Sequence, residues 1–351
     1  MDFKIGQVAF SDSRTVVIAE AGVNHLGNMN AAEKLISAAK RAGCDIIKFQ
    51  TYTAAKLTTK AAPRFWTWAG EVEENGTQFD SYSNLDKFGR FEYEQLVELC
   101  QKHEIEFMST PFDTDSVDML CEVGVKGFKI ASCDITNEPL LLHIASKKLP
   151  ILLSTGASTV EEISRALNTI KSISDSPVAI LHCTLTYPTP DSDANLKALI
   201  DLKLKFPNHL LGLSDHTLGI SAPAFSVMLG SRIIEKHFTY DKTLPLSADH
   251  WLSVNEEEMS DLILRVRQAE KMLGVAEKKV LDSELKARNF ARRSVVAECD
   301  IAPGEILTGS NISVKRPGTG ISPYEMKNLI GKIANNFIEK DTLIDEKDLR
   351  A

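Results

Sequence analysis

The feature that most constrains the fold is an alternation, through the first 275 residues, of short β-branched apolar runs with longer segments of helical periodicity. Eight strand–helix repeats in one chain predict a (β/α)8 TIM barrel, a fold of the α/β class. An open doubly wound sheet would usually have fewer strands and a glycine-rich first turn, and the sequence contains neither GxGxxG nor GxxxxGK. The eight predicted strands are 15–20 (TVVIAE), 45–50 (DIIKFQ), 105–109 (IEFMS), 127–132 (GFKIAS), 150–155 (PILLST), 178–183 (VAILHC), 210–214 (LLGLS) and 232–237 (RIIEKH).

Two helix starts are predicted from capping-box spacing, in which a capping side chain is followed three residues later by a glutamate. Asn30 with Glu33 predicts the start of the first helix, which Gly43 would end. Ser158 with Glu161 predicts the start of a helix in the second half of the barrel.

The sequence changes in character after a helical pattern at 256–273. A charged segment, AEKKVLDSELKARN, leads into short β-rich runs broken by proline and glycine. We therefore predict a barrel at 1–280, a linker at 281–291 and a small β-rich domain at 292–351. A domain of that size has a small core, so we expect it to pack on another surface.

Composition narrows the classes of partner. The net charge is −8 and no basic block is present, so nucleic acid is not an expected partner. The six cysteines form no CxxC pair or zinc spacing, and the first residues do not form a signal peptide, which favours free thiols in the cytoplasm. No apolar run approaches the roughly 18 residues of a membrane span, so no membrane association is expected.

Polar residues are concentrated where the predicted strands end, which is the face that carries the active site in this fold. The strands are apolar until their last residues, as expected for strands buried on both faces. The polar residues at or just beyond the strand ends are Glu20, Asn24, His25, Lys48, Gln50, Ser109, Thr110, Lys129, Ser132, Asp134, Ser154, Thr155, His182, Thr184, Tyr187, Ser214, Asp215, His216 and His237.

Lys48 and Lys129 end separate strands, and with the neighbouring hydroxyl groups they form a predicted site for a small, multiply charged anion such as a phosphorylated carboxylate. Either lysine taken alone could instead be a salt-bridged or snorkelling residue. His216 and His237 end neighbouring strands, and two imidazoles there suit a divalent metal that acts as a Lewis acid. The alternative is a pair of hydrogen-bonded structural histidines.

Two further features of the strand ends have open interpretations. Asp215 is either a third metal ligand or a residue that orients its loop. Cys183 is interpreted as a small packed thiol, because no activating base is evident in the sequence. The long connection 52–91 is either a lid whose Phe65, Trp66, Trp68 and Tyr82 cover a sugar, or a cluster that packs on itself.

The motifs resemble those of the sialic acid synthase family over nearly the whole chain. They are IAEAGVNHLGN, IIKFQTY, FMSTPFD, FKIAS, LSTG, LHCTLTYPTP, GLSDHT, IEKHFTYDK and, near the C-terminus, KRPG. The resemblance implies a (β/α)8 barrel followed by an antifreeze-like (SAF) domain. It also implies a transferase that condenses phosphoenolpyruvate with an N-acylated mannosamine-type sugar, giving a nine-carbon 2-keto-3-deoxy acid and phosphate.

The resemblance also implies roles for individual residues. His216 and His237 would bind a divalent metal, with Mn²⁺, Mg²⁺ or Co²⁺ as the candidates, and Glu20 would act as acid or base near the sugar aldehyde and the attacking water. Arg316 would reach into the partner's barrel, so the resemblance implies a domain-swapped homodimer. The residues that would hold phosphoenolpyruvate are Lys48, Thr110, Lys129, Ser132, Ser154 and Ser214, and those that would hold the sugar are Gln50, Asp134, Tyr187 and Asp249.

Three departures from the family pattern leave the acceptor sugar open. Leu185 stands where some relatives have a polar residue, Asp134 replaces a frequent glutamate, and the segment 60–90 is long. The candidates are N-acetylmannosamine, its 6-phosphate, the diacetamido-trideoxy sugar that leads to legionaminate and the altrose-type isomer that leads to pseudaminate. Two rivals from other classes are a Schiff-base aldolase that uses Lys129 or Lys48 and a non-catalytic carbohydrate- or ice-binding protein.

Overall fold

The computed structural model describes residues 2–66, 76–244 and 249–351. The chain divides into two compact units, one that ends at Gly274 and one from Val275 to Ala351. In the described part of the chain no helix is long and apolar enough to cross a bilayer.

The first unit begins with a hairpin that the sequence analysis did not predict. Strand β1 (Phe3–Ile5) pairs with the antiparallel strand β2 (Val8–Phe10). Ile5 and Phe10 are buried in one apolar cluster with Val16 and Ile46, which begin or nearly begin barrel strands. The hairpin therefore covers the end of the barrel interior where the strands start, opposite the predicted site.

Eight parallel strands form the sheet of this unit, so the predicted (β/α)8 fold is confirmed. Their spatial order is β5-β4-β3-β10-β9-β8-β7-β6, and β5 and β6 at the two ends lie side by side, which closes the barrel. The strands are β3 (Val16–Gly22), β4 (Ile46–Thr51), β5 (Glu106–Pro111), β6 (Phe128–Ile130), β7 (Ile151–Ser154), β8 (Val178–Cys183), β9 (Leu211–Asp215) and β10 (Ile233–His237).

Helices surround the barrel, and the apolar faces of the longer ones pack against the strands in one large core. The helices of the first unit are α1 (Met29–Ala42), α2 (Ala54–Leu57), α3 (Gln78–Ser83), α4 (Arg90–Lys102), α5 (Thr114–Glu122), α6 (Glu138–Ser146), α7 (Val160–Lys171), α8 (Ala198–Lys205), α9 (Ser221–Ser226) and α10 (Glu256–Leu273).

Both predicted helix caps were wrong by one or two positions. The Asn28 side chain caps α1 by accepting from the Ala31 N–H, and Thr159 with Glu162 forms the capping box of α7. In the second case two overlapping pairs have the required spacing, and Ser158 instead donates to the Gly156 carbonyl. Sequence spacing alone does not choose between overlapping pairs.

The second unit has an apolar core of its own, which includes Val295, Ile301, Leu307, Ile312 and Ile344. It contains two short helices and two antiparallel strand pairs, β11 with β12 and β13 with β14. Its elements are α11 (Leu285–Ala291), β11 (Ser294–Ala297), β12 (Ile312–Lys315), α12 (Met326–Leu329), β13 (Ile333–Ala334) and β14 (Leu349–Arg350).

Candidate active site

A cavity of about 730 Å³ opens where the barrel strands end. Every predicted site residue of the barrel lines it, whereas Arg316 is an exposed residue of the second unit. The predicted residues in its wall are Glu20, Lys48, Gln50, Thr110, Lys129, Ser132, Asp134, Ser154, Tyr187, Ser214, His216, His237 and Asp249.

Several other strand-end polar groups do not line the cavity and are bonded within the scaffold. The Asn24 amide donates to the Phe238 carbonyl at 2.9 Å, and the Thr155 hydroxyl donates to the Leu181 carbonyl at 2.9 Å. The His182 ring lies 2.9 Å from the Ala194 carbonyl. Because successive side chains of a strand point to opposite faces, a polar strand end supplies both kinds of residue.

Two buried ion pairs occupy the inner end of the cavity. Lys48 Nζ lies 2.7 Å from Glu20 Oε2 and donates to the Thr110 hydroxyl at 2.8 Å. Lys129 Nζ lies 2.8 Å from Glu235 Oε1, which also lies 3.9 Å from Lys48 Nζ. The two pairs thus form one continuous charged cluster.

Glu235 is a site residue that the sequence analysis missed. It accepts from the Ser214 hydroxyl at 3.0 Å and is paired in register with Ser214 across β9 and β10. The signal was present in the run RIIEKH, because a residue two positions before His237 must share its face of the strand. The run was interpreted by its last residue alone.

The pKa values of the two glutamates in the cluster, Glu235 and Glu20, are shifted in opposite directions. Burial would raise the pKa of Glu235, but the ammonium groups of Lys129 and Lys48 hold it at about 2. Burial raises the pKa of Glu20 above its usual value, and Lys48 offsets this rise only in part. One carboxylate is therefore a fixed charge, whereas the other is suited to exchange a proton.

The two histidines lie together, as predicted, with their ring centroids 5.4 Å apart. His216 Nδ1 lies 2.9 Å from the Thr184 carbonyl, so the N–H of that nitrogen donates to it and Nε2 is left as the free nitrogen. His237 Nδ1 is buried with no hydrogen bond and lies 3.6 Å from Asp249 Oδ2. The Tyr187 ring packs on His216 with the centroids 4.1 Å apart.

This donor set fits a divalent cation. Burial lowers the pKa of His237 well below its usual value, with the neighbouring His216 as the next cause, and the neutral imidazole is the form that binds metals. In the described residues no group of three or more His, Cys, Asp or Glu side chains is placed to hold a metal. An ion bound here would therefore take two imidazoles and complete its coordination with substrate or water.

Cys183 is buried, as expected for a packed thiol, and its neighbour is the His216 imidazole, which the sequence does not place beside it. Its Sγ lies 3.8 Å from His216 Nδ1. Burial raises the pKa of the thiol, but His216, the Ser132 hydroxyl and Lys129 together more than offset this, so the net shift is downward. The histidine follows a neighbouring strand, so their proximity depends on the barrel and not on sequence distance.

The long connection after β4 supplies a large part of the cavity wall, both apolar residues and the polar residues Arg64, Gln78, Ser81 and Asn84. Phe65, Trp66 and Tyr82 line the cavity and also contact one another, with centroid distances of 4.9 Å and 5.6 Å. The connection thus packs on itself and also forms part of the cavity wall. Trp68 lies outside the described residues. The other apolar residues of the wall are Val23, Leu57, Leu85, Phe112, Ala131, Leu185, Trp251 and Leu252.

The fold and the site together define the class as a (β/α)8 barrel of enzyme type, with a charged cavity at the carboxyl ends of its strands. Residues 35–278 match the NeuB family model and residues 292–350 match the SAF domain model. The chain belongs to the NeuB family, which confirms the resemblance noted in the sequence.

Similar proteins have related names. The chain is 43% identical to N,N'-diacetyllegionaminic acid synthase of Legionella pneumophila, over 94% of this chain and 93% of that protein. It is 36% identical to pseudaminic acid synthase of Campylobacter jejuni, over 97% of this chain and 98% of that protein. The crystal structure of N-acetylneuraminic acid synthetase from Leptospira borgpetersenii, in complex with citrate, is similar with a TM-score of 0.73 and 36% identity, covering 82% of this chain and 95% of that chain.

Proposed function

We propose that this protein is a nonulosonic acid synthase. It condenses phosphoenolpyruvate with an N-acylated amino sugar, giving a nine-carbon 2-keto-3-deoxy acid and phosphate. The observation that carries the proposal is the joint presence, in one cavity of a NeuB-family barrel, of the Lys48–Lys129 cluster and the His216–His237 pair. Relatives that are named as acid synthases, at 36–43% identity over nearly the whole chain, support it.

Phosphoenolpyruvate would bind at the inner end of the cavity. Its carboxylate and phosphate suit two fixed ammonium groups with hydroxyl donors between them. Ser154 Oγ is buried there without a hydrogen-bond partner, and an acceptor oxygen of the substrate would satisfy it. Each ammonium is bonded to a carboxylate, an arrangement that favours a charge-stabilising role for both lysines over the Schiff-base alternative.

His216 and His237 would hold a divalent cation, Mn²⁺ or Mg²⁺, next to the acceptor sugar. When bound, that ion would supply Lewis-acid polarisation of the open-chain aldehyde. Asp249 and Tyr187 lie beside the two histidines and would orient the sugar. The enzyme contributes mainly positioning and charge stabilisation, because the enol phosphate brings its own reactivity.

Glu20 is the proposed acid and base. In the reaction, C3 of phosphoenolpyruvate forms a bond with the aldehyde carbon and the aldehyde oxygen takes a proton. Water then adds to C2 and loses one proton; when the C2–O bond to phosphate breaks, the new hydroxyl becomes the keto group and its proton leaves with the phosphate. A carboxyl group with a raised pKa is able to give the first proton and receive the second. Gln50 donates to Glu20 Oε1 at 2.9 Å, which fixes the orientation of the carboxyl group.

The proposed acceptor is the diacetamido-trideoxy sugar of the manno type, which leads to legionaminate. The apolar residues of the wall, among them Leu185 and Trp251, suit a sugar that has a methyl group and a second acetamido group in place of hydroxyls. The 43% identity to a diacetyllegionaminic acid synthase points the same way, whereas identity to the pseudaminic acid synthase is 36%.

Phosphate release measured with four acceptors tests the proposal. They are the diacetamido-trideoxy sugar, its altrose-type isomer, N-acetylmannosamine and N-acetylmannosamine 6-phosphate. We expect the highest kcat/KM for the first. A higher value for another acceptor would correct the acceptor alone, whereas no phosphate release with any of them would contradict the synthase activity. Borohydride trapping of a keto acid on Lys129 or Lys48 would support the aldolase instead.

The second proposed feature is a domain-swapped homodimer in which Arg316 of each chain reaches the partner's cavity. Arg316 is exposed in the second unit, and its guanidinium could bond an amide carbonyl of the acceptor. This assignment rests on the KRPG motif that the chain shares with its family.

A further inference from the structure

A third buried ion pair, between Lys236 and Asp215, lies beside the histidines but outside the cavity. Lys236 Nζ lies 2.6 Å from Asp215 Oδ2, and the two residues are 1% and 3% exposed. Ser214 and Glu235, one position earlier on the same two strands, line the cavity. Because side chains alternate along a strand, Asp215 and Lys236 point to the opposite face of the sheet, away from substrate.

The pair lies where the backbone pairing of β9 and β10 stops. The last register pair of the two strands is Lys236 with Asp215, and His216 comes directly after it. Beyond that point the Lys236 side chain connects β10 to the residues that follow β9, because its ammonium group also donates a hydrogen bond to the Thr217 carbonyl. His216 thus stands between two residues that Lys236 holds.

Asp215 strengthens the same connection. Its Oδ1 accepts from the Thr217 N–H at 3.2 Å and its Oδ2 from the Thr217 hydroxyl at 3.0 Å. The His216 carbonyl accepts from the Thr189 N–H at 2.9 Å, so the backbone around His216 is fixed on both sides. His237 directly follows Lys236 on β10, so one ammonium group joins the chain segments that carry both rings.

Stability alone is a weak reason for such a pair. Removing a lysine and a carboxylate from water is costly, and well-packed apolar residues of similar size are often as stable or more stable. Positioning is a stronger reason, because a two-imidazole site binds a cation well only if its rings are held within a fraction of an ångström.

We propose that Lys236, oriented by Asp215, is a positioning residue that fixes the spacing of His216 and His237 and thereby the affinity of the pair for a divalent cation. The inference rests on the cation site of the proposed function. Neither residue of the pair touches substrate or metal; both act through the two histidines.

The test measures the dissociation constant for Mn²⁺ on the full-length, substrate-free protein by electron paramagnetic resonance. We expect Lys236→Met to raise that constant about 10- to 100-fold, the usual effect of removing a group that orients a metal ligand. Lys236→Met leaves the Asp215 charge buried and could unfold the protein. The double variant Lys236→Met/Asp215→Leu leaves no unpaired charge, and we expect it to fold and to bind Mn²⁺ as weakly.

Asp45→Asn is the matched control. Asp45 just precedes β4 at the other end of the barrel, where it pairs with Arg14 at 2.7 Å and accepts from the Val17 N–H at 2.9 Å. The control should lower the melting temperature and leave the Mn²⁺ dissociation constant within about twofold, since it lies far from the histidines.

The outcomes separate this inference from the proposed function. Saturable Mn²⁺ binding by the wild type, lost in His237→Ala but unchanged in the folded Lys236 variants, would overturn the positioning role alone. Absence of saturable binding by the wild type would overturn the cation site and the positioning role together. Weaker binding in the Lys236 variants with an unchanged control supports the inference.

Discussion

Lys129 Nζ and Glu235 Oε1 are 2.8 Å apart inside the barrel, and each belongs to a strand on a different side of the cavity. β6 lies next to β7, whereas β10 lies between β9 and β3. The bond therefore spans the barrel interior, and it joins the proposed phosphoenolpyruvate site to the strand that carries His237. The Glu235 carboxylate pairs with the Lys129 ammonium group, which would otherwise be buried without a partner.

Glu235→Gln should therefore lower both the stability of the folded protein and its activity. We expect a loss of about 3–5 kcal/mol in the free energy of unfolding, as for other buried pairs from which one partner is removed. The three tryptophans all precede residue 275, so urea unfolding followed by fluorescence reports on the barrel. The control is Glu94→Gln, an exposed partner of Arg90 on α4 of the barrel, which should change the value by less than about 1 kcal/mol.

The pH dependence of the same variant is a second prediction. The pKa of Glu235 is about 2 in the folded protein against a usual value of 4.5, so its stabilisation is complete above pH 4.5 and is lost as the pH falls toward 2. The shift corresponds to about 3 kcal/mol. Urea unfolding at several pH values should show the difference between wild type and Glu235→Gln shrinking over that window. A difference that stays constant down to pH 2 would contradict the assigned ion pair.

Glu20 should control the basic limb of the activity profile. Its pKa is raised by burial, and as an acid it works only while it is protonated. We expect kcat/KM to fall as the pH rises through this pKa, and we expect Glu20→Gln to lower kcat by about 100-fold or more and to remove that limb. A profile of unchanged shape in Glu20→Gln would show that another group is the acid.

Whether a structural feature could be predicted from the sequence depends on whether it produces a local pattern of residue types. Strand ends were placed to within two residues because strands buried on both faces turn from apolar to polar abruptly, as at Ser154 of β7. The β1–β2 hairpin was missed because three-residue strands are too short to show a period. Glu235 was missed because it lies before the end of its strand, where only the alternation of faces reveals its direction.

The contact of Cys183 with His216 shows a different limit. Cys183 ends β8 and His216 follows β9, and they meet because these two strands pair side by side, so no local pattern contains the information. The charge cluster also depends on the fold, since Lys129 on β6 and Glu235 on β10 meet at 2.8 Å across the barrel, and Lys48 on β4 approaches Glu235 to 3.9 Å. Sequence patterns thus predicted which residues reach the site, whereas their partners required the fold.

Metal removal should abolish activity reversibly. We expect EDTA to stop phosphate release and Mn²⁺ or Mg²⁺ to restore it, because the proposed cation site consists of two imidazoles, and burial keeps the pKa of one of them, His237, well below its usual value. His237→Ala should lose activity that no added ion restores, while its far-ultraviolet circular dichroism stays that of the wild type. Full activity in EDTA, or in the variant, would remove the metal from the mechanism.

Mixing two inactive variants tests the exchange of Arg316 between subunits. In a domain-swapped homodimer each site takes its barrel from one chain and Arg316 from the other. We expect His237→Ala and Arg316→Ala each to be strongly impaired.

Heterodimers formed by refolding the two variants together would contain one site with both defects and one intact site. With random pairing half of the dimers are mixed, so roughly a quarter of wild-type activity should return, by the symmetry of a two-site dimer. A mixture no more active than its components would place Arg316 in the cavity of its own chain or outside the site. As a control, Lys327→Ala replaces Arg316→Ala in the mixture with His237→Ala. Lys327 lies in α12 and has no proposed role, so its variant should be active by itself.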